Sequence, residues 1–177
     1  MPTKAADRIQ AMRERAAALA PQAQGDGNPR AQLAAIVAPT DPARARQLLR
    51  ELLTYDHTNV VAARLLATLA RDAKANDEED FALQLVSDLD PFDADTHARL
   101  GSRLMAKTNY AGALREFQAT VALGPANLAE AHTDVADALL KLGRRDEARR
   151  SALAALKEAP TFSRAQDILM AASPAAR

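Results

Sequence analysis

Prolines and alanines recur at a nearly constant interval through the second half of this 177-residue chain. Pro91 and Pro125 are 34 residues apart, and Pro125 and Pro160 are 35 residues apart. Ala113 and Ala148 are also separated by 35 residues. A chain that repeats with a period of about 20 to 50 residues forms a row of similar units, each of which buries its apolar face against its neighbours. The interval therefore predicts a repeat array with a continuous core.

The residues available for that core favour helices. Hydrophobic residues make up 48% of the chain but aromatic residues only 3%, so Leu and Ala must supply most of the buried surface. Both are strong helix formers, and the β-branched and aromatic residues that favour strands are sparse. Within residues 93–125, apolar side chains follow helical spacing in two runs, which are interrupted at residues 107–109. Each repeat is therefore predicted to be a pair of helices.

An ordered series of small and large apolar residues characterises the repeat at residues 93–125. In chain order, the series consists of Leu100, Gly101, Leu104, Ala113, Phe117, Val121 and Pro125. The series and the period resemble the tetratricopeptide repeat (TPR), whose period is about 34 residues. The resemblance implies an all-α fold in which helix pairs stack into a right-handed α-α superhelix, a TPR-like solenoid with capping helices. It also implies a non-enzymatic scaffold for protein–protein interaction.

The breaks between apolar runs divide the chain into a repeat array and its flanking segments. We predict an N-terminal amphipathic helix at residues 1–20, a flexible linker at 21–28, the array at 29–160 and a C-terminal capping helix at 161–172. The array holds about four helix pairs, at residues 29–57, 58–92, 93–126 and 127–160. The first two pairs depart from the repeat pattern and are degenerate, whereas the last two follow it well.

Polar residues ahead of the apolar runs mark the predicted helix starts. Asp41 is an N-cap followed by Pro42 at the first helical position. Asn76 and Asn127 each begin a capping-box pattern, and Thr161 caps the last helix. In the second helix of the pair at 58–92, Glu79 stands where the repeat usually has Ala, and the predicted core residues are Phe81, Leu85, Val86 and Leu89.

Charge and composition disfavour several classes of partner. The 23 basic and 23 acidic residues give a net charge of zero, whereas nucleic-acid binders usually carry a basic excess. No apolar run approaches the ~20 residues that span a bilayer, and residues 1–20 carry charges where a signal peptide needs an apolar centre. We therefore expect a cytoplasmic protein that neither binds nucleic acid nor inserts into a membrane.

The residues that could serve in catalysis or metal binding are better explained by structural roles in the helical repeats. His97 and His132 occupy the same repeat position, so they lie at least one helix-packing distance apart, about 8–10 Å, too far to share a metal ion with bonds of about 2 Å. His57 has no ligand or nucleophile at motif spacing. The acidic residues 77–80 lie at a predicted helix start, where negative charge is favoured. We predict no enzymatic activity, no metal and no cofactor.

A binding face is implied by the resemblance. In similar repeats, the concave face takes its residues mainly from five places in each first helix. In phase with those places, the predicted partner-binding residues are Arg64, Thr68, Arg71, Asp95, Ala98, Ser102, Met105, Glu130, Thr133, Asp137 and Lys141. Arg64 and Arg71 would attract acidic groups, while Ala98 and Met105 would accept an apolar side chain. We therefore predict that a peptide or helix of a partner protein binds in this groove.

One subfamily of such repeats grips the C-terminal carboxylate of chaperones with Lys, Asn and Arg residues from three successive units. The matching places in this chain hold Arg64, Thr68, Arg99, Glu130 and Asp134. The two acidic residues, Glu130 and Asp134, would repel an anion there. This comparison disfavours a receptor for chaperone tails.

A second resemblance supports an alternative function. Residues 58–172 look like the repeat tail that follows a zinc-peptidase-like domain in some bacterial proteins, although the HExxH motif is absent from this chain. On this reading the chain is a structural accessory or assembly region of a larger bacterial enzyme or complex, which docks through its N-terminal helix or convex face. Self-association through Ile9, Met12 and Leu19 is compatible with either function, so a homo-oligomer is left open.

Overall fold

The computed structural model describes residues 27–173, and within that range it contains α-helices and no strand. The helices are α1 (Gly27–Val37), α2 (Pro42–Tyr55), α3 (Val60–Asp72), α4 (Asn76–Leu89), α5 (Ala94–Ala106), α6 (Tyr110–Ala122), α7 (Leu128–Lys141), α8 (Arg145–Glu158) and α9 (Ser163–Ala172). The helix predicted for residues 1–20, including Ile9, Met12 and Leu19, lies outside the described residues. Helix α1 begins inside the segment predicted to be a linker.

Consecutive helices pack as pairs, α1 with α2, α3 with α4, α5 with α6 and α7 with α8. Helix α9 packs against both α7 and α8. The chain divides into two compact units, Met1–Asp90 and Pro91–Arg177. The described part of unit 1 contains α1–α4, and that of unit 2 contains α5–α9. The predicted all-α architecture of helix pairs is confirmed.

The core of unit 1 consists of Leu and Ala, as the composition predicts. Helix α2 contributes Leu48, Leu49, Leu52 and Leu53, and α3 contributes Ala62, Ala63, Leu66, Ala67 and Ala70. Both sets recur at three- and four-residue intervals, so each helix turns one continuous apolar side inward. The opposite side of α3 is thereby left exposed.

The predicted core of α4 is partly wrong. Phe81 is 51% exposed, whereas Ala82, Leu83 and Val86 are buried together with Glu79, which is only 6% exposed. The buried residues keep helical spacing, but the stripe is rotated around the helix relative to the prediction. Glu79 caused the error, because charged residues are usually exposed and a hydropathy pattern therefore assigns Glu79 to the solvent side of the helix instead of the core side.

A close approach between two helices defines the core of unit 2. Phe117 of α6 is 2% exposed, and its ring lies directly against the backbone of Gly101 in α5. A Cβ atom at Gly101 would lie 2.5 Å from Cδ1 and 2.9 Å from Cζ of that ring. The small residue predicted beside Leu100 is therefore required by the aromatic residue in the paired helix.

Two predicted helix caps are confirmed and two are wrong. The Asp41 carboxylate accepts a hydrogen bond from the Arg44 amide at 2.9 Å, and the Asn127 side chain accepts one from the Glu130 amide at 3.1 Å. Helix α4 already includes Asn76, so the N-cap position falls on the residue before it, whose side chain makes no capping bond. Helix α9 begins two residues after Thr161. In both errors a polar residue lies near the helix start but out of register with the free amides.

Candidate binding surfaces on the first helices

The first candidate surface is the exposed side of α3 in unit 1. The Asn59 side chain starts this helix by accepting a hydrogen bond from the Ala62 amide at 3.0 Å. Arg64, Thr68 and Arg71 then follow at intervals of four and three residues, so they share one side of the helix. Arg64 and Arg71 are exposed, and Thr68 is half-buried. We call these three residues the α3 face.

Each guanidinium of the α3 face has an acidic neighbour in the same unit. Arg64 Nη2 donates to Asp90 Oδ2 at 2.7 Å, and the two side chains are 43% and 44% exposed. Arg71 Nε approaches Asp72 Oδ1 at 3.4 Å. Asp90 could not be predicted from the sequence pattern, because it lies 26 residues from Arg64 and only the fold brings the two together. The predicted basic end of the groove is therefore balanced by carboxylates.

Exposed ion pairs of this kind contribute little to folding, typically about 0–1 kcal/mol, because water solvates both charges almost as well. A partner's carboxylate could therefore replace Asp90 on Arg64 at small cost to stability. Val61, which is 67% exposed, precedes Arg64 by one helical turn. The α3 face thus offers two guanidiniums beside an exposed aliphatic side chain.

Helix α5 supplies the second candidate surface, in unit 2. Asp95 and Ser102 are exposed, whereas Ala98 and Met105 are half-buried. The Ser102 hydroxyl donates to the Ala98 carbonyl at 3.0 Å, which satisfies it within the helix. Met105 packs against the buried cluster around Phe117. This α5 face is small and only weakly polar.

Helix α7 carries the remaining predicted residues, and one of them is wrong. Thr133 is fully buried, and its hydroxyl donates to the Ala129 carbonyl at 2.7 Å. It cannot contact a partner, because α7 is packed against α6, α8 and α9 and has less free surface than α3 or α5. Glu130 and Lys141 are exposed, and Asp137 is half-buried.

An ion pair from the capping helix covers part of the α7 surface. Arg164 Nη1 donates to Asp134 Oδ1 at 2.6 Å, and Arg164 Nη2 lies 3.5 Å from Asp137 Oδ2. Burial raises the pKa of Asp134, Arg164 opposes that change, and the charges of Glu130 and Asp137 add to it, so the pKa lies above its usual value. Arg164 could not be predicted from the sequence pattern, because nothing in α7 indicates which residue of α9 contacts it.

Two of the three histidines, His57 and His97, make side-chain hydrogen bonds. His97 contacts Glu116 Oε2 through Nδ1 at 2.8 Å and the Pro91 carbonyl through Nε2 at 3.0 Å. His57 Nδ1 lies 2.6 Å from the Leu53 carbonyl, and His132 is half-buried. Within residues 27–173, no group of three His, Asp or Glu residues is arranged to hold a metal ion.

A pocket of about 320 Å³ opens on unit 1. It is lined by Arg30, Gln47, Arg50, Glu51, Thr54 and Tyr55. The guanidinium of Arg30 lies over the ring of Tyr55, 5.5 Å from its centroid. None of the predicted binding residues lines this pocket. Among the helices of the described range, none combines the length and the apolar character that a membrane crossing requires.

Comparisons with known proteins identify the fold. No protein-family model matches this chain, and neither does any curated protein. Among solved structures, the chain is similar to YrrB, described as a TPR protein with an unusual peptide-binding site, with a TM-score of 0.74, 18% identity, and coverage of 89% of this chain and 81% of YrrB. It is also similar to the MamA protein, with a TM-score of 0.69, 18% identity, and coverage of 89% and 86%.

A third similar structure contains a ligand. The first TPR domain of Spaghetti (RPAP3), bound to the HSP90 peptide SRMEEVD, gives a TM-score of 0.58 at 18% identity and covers 64% of this chain and 89% of that domain. These similarities show that the chain has the tetratricopeptide-repeat fold.

Proposed function

We propose that this chain is a non-enzymatic module that binds a peptide or helix of a partner protein through the exposed sides of its first helices. The observation that carries the proposal is the division of α3 into a buried Ala and Leu side and an exposed side with Arg64, Thr68 and Arg71. Such a surface is rigidly held by the core behind it, which lowers the entropy cost of binding.

The α3 face favours an acidic partner segment with an apolar residue. Arg64 and Arg71 are separated by seven residues, so their Cα atoms lie about 10 Å apart along the helix axis. Carboxylates at a matching spacing would exchange with Asp90 and Asp72. Val61 would contact the apolar residue. Charge complementarity of this kind mainly increases association rate and specificity.

Unit 2 offers a different chemistry. The α5 face provides Ala98 and Met105 for an apolar side chain, with Asp95 and Ser102 beside them for hydrogen bonds. On α7, Glu130 and Lys141 are exposed, while Asp137 is engaged by Arg164. We assign Thr133 no role in binding, because it is buried. A partner of unit 2 would therefore combine an apolar anchor with basic groups for Asp95 and Glu130.

Two of the structural neighbours support a peptide ligand. One is described by its peptide-binding site, and the other is bound to a peptide whose last four residues, EEVD, include three acidic ones. The chaperone-tail clamp does not transfer, since Glu130 and Asp134 stand where that clamp needs groups that attract a carboxylate. We therefore propose a protein partner other than a chaperone tail. The proposal includes no cofactor, no metal, no nucleic acid and no membrane insertion, and it places the protein in the cytoplasm.

Peptide selection tests the proposal. A random peptide library would be selected on the full chain, and the recovered peptides would be measured by fluorescence anisotropy. We expect Arg64→Gln combined with Arg71→Gln to weaken binding of α3-face peptides about tenfold, which corresponds to about 1.4 kcal/mol. The matched control is Arg145→Gln with Arg149→Gln, which removes the same charge from exposed positions on α8.

The outcome also separates the alternatives. If the double variant binds every selected peptide as tightly as the wild-type chain does, the α3 face is not the binding surface. If deletion of residues 1–20 removes binding while both double variants retain it, the chain docks through its N-terminal segment, as an accessory region would. Circular dichroism spectra of all variants must match the wild-type spectrum for either conclusion.

A further inference from the structure

His97 joins three parts of unit 2. The residue lies in the first turn of α5, its Nδ1 atom is 2.8 Å from Glu116 Oε2 of α6, and its Nε2 atom is 3.0 Å from the carbonyl of Pro91. The side chain is only 13% exposed, and that of Glu116 is 27% exposed. One imidazole ring therefore links the chain segment ahead of α5 to α5 itself and to the neighbouring helix.

Both partners of the ring are hydrogen-bond acceptors. A backbone carbonyl has no hydrogen to donate, and an ionised carboxylate has none either. A neutral imidazole can donate from one nitrogen only, so its other nitrogen would place a lone pair against an oxygen atom at about 3 Å. Both hydrogen bonds form at the same time only when the ring is the doubly protonated imidazolium cation.

The surroundings of the ring favour that cation. Burial lowers the pKa of His97, but the hydrogen bonds to Glu116 and Pro91 and the negative charges of Glu116 and Asp93 raise it, and the net result lies above 6.5. The charged groups that act on the ring are thus one carboxylate from α6 and one from the segment before α5. Asp93 is itself fixed, because it accepts hydrogen bonds from the Asp95 amide at 3.2 Å and the Thr96 hydroxyl at 2.7 Å.

We propose that His97 is a pH-sensitive clasp that holds residues 91–93 and the first turn of α5 against α6 while its ring is protonated at both nitrogens. Loss of one proton removes either the bond to Glu116 or the bond to Pro91, together with the charge attraction. The segment at residues 91–93 then has one fewer attachment, and the first turn of α5 opens more often. The clasp is independent of the proposed binding function, because it requires no partner.

NMR spectroscopy of the ring nitrogens tests the protonation state. The chain has three histidines, so the signals of His97 are identified by their absence in His97→Gln. We expect both ring nitrogens of His97 to be protonated below about pH 6.5 and the residue to titrate above that value. In Glu116→Gln the midpoint should fall, because the carboxylate is replaced by a neutral amide. A midpoint below 6.5 in the wild-type chain, or one that Glu116→Gln leaves unchanged, would overturn the proposal.

Hydrogen exchange tests the mechanical consequence. After correction for intrinsic rates, the amides of Asp95 and His97 should exchange several-fold faster above the His97 midpoint than below it. This dependence on pH should disappear in Glu116→Gln and in His97→Gln, and it should persist in the control His132→Gln, which changes the equivalent position of the next repeat. If the corrected exchange rates of these amides do not change as His97 titrates, the ring does not act as a clasp.

Discussion

Substitution of Gly101 by Ala tests the packing of unit 2 most sharply. In most helix interiors this change stabilises a protein, because Ala has the higher helix propensity by about 1 kcal/mol. At Gly101 the added Cβ would lie 2.5 Å from Cδ1 and 2.9 Å from Cζ of Phe117, whereas carbon atoms in contact are normally about 3.5–4.0 Å apart. The ring or the helix must move by about 1 Å to accept the methyl group.

The magnitude follows from two opposing effects. Overpacking of a well-filled core costs about 1–3 kcal/mol, and Phe117, at 2% exposure, has little room to move. We therefore take the upper end of that range, about 3 kcal/mol, and subtract the propensity gain of about 1 kcal/mol. Gly101→Ala is expected to lower the free energy of unfolding by about 2 kcal/mol.

Urea denaturation followed by circular dichroism measures this change, and a second background isolates its cause. In Phe117→Leu the ring is gone, so Gly101→Ala should cost nothing there and stabilise by up to about 1 kcal/mol. Ser102→Gly compared with Ser102→Ala gives the propensity difference at an exposed position of the same helix. A stabilising effect of Gly101→Ala in the wild-type chain, or an equal effect in both backgrounds, would contradict the predicted clash with the Phe117 ring.

Further substitutions test the rest of the structure. Glu78→Gln removes the carboxylate of α4 that pairs with Arg46 of α2, whose side chains are 10% and 21% exposed respectively. It should lower the free energy of unfolding, measured by urea denaturation, by about 2 kcal/mol, which lies between the values for surface and buried pairs. A loss below about 0.5 kcal/mol would contradict this. Asn127→Ala removes a confirmed cap and should cost about 1 kcal/mol by the same assay, with a smaller loss if the cap is not formed. Thr133→Val should change stability by less than about 1 kcal/mol, because the Thr133 hydroxyl only adds a second hydrogen bond to a carbonyl of its own helix. Peptide binding should be unchanged, and a loss of binding would indicate that Thr133 does contact the partner. Because the pKa of His97 is raised in the folded state, its stabilising contribution is fully present below about pH 6.5 and is lost as the pH rises through the folded pKa. The wild-type chain should therefore lose more stability over that pH range than His97→Gln does. Equal losses in the two chains would exclude the effect.

The repeat period predicted more of this fold than hydropathy did. The 34-residue interval aligns Glu79 with Ala113, a core position, and Glu79 is indeed buried. Hydropathy alone assigns a glutamate to the surface and an aromatic residue to the core, which is why Phe81 was misplaced. Where the two signals disagreed, the period was right, because it reflects the packing geometry of neighbouring helix pairs rather than the character of a single side chain.

The candidate surfaces were less predictable because they depend on contacts between residues distant in sequence. Arg64 was selected by its repeat position, but its neutralisation by Asp90 requires the packing of α3 with α4. The ion pairs of Arg164 with Asp134 and Asp137 form only because α9 packs against α7. A repeat pattern indicates which side of a helix is free in an average repeat, whereas the closing helix of an array changes what is free in the last one.

Amide chemical shifts of the ¹⁵N-labelled full chain with a bound peptide would locate the proposed binding surface on the first helices. The peptide would be one recovered by selection on the wild-type chain, added until the protein is saturated. We expect the largest shifts on the exposed positions of the first helices of the unit that binds the peptide, on α3 for unit 1 or on α5 and α7 for unit 2. The shifts on α3 should vanish in the variant lacking the charges of Arg64 and Arg71. Shifts confined to residues 1–20, to α8 or to the pocket lined by Arg30 and Tyr55 would contradict this expectation.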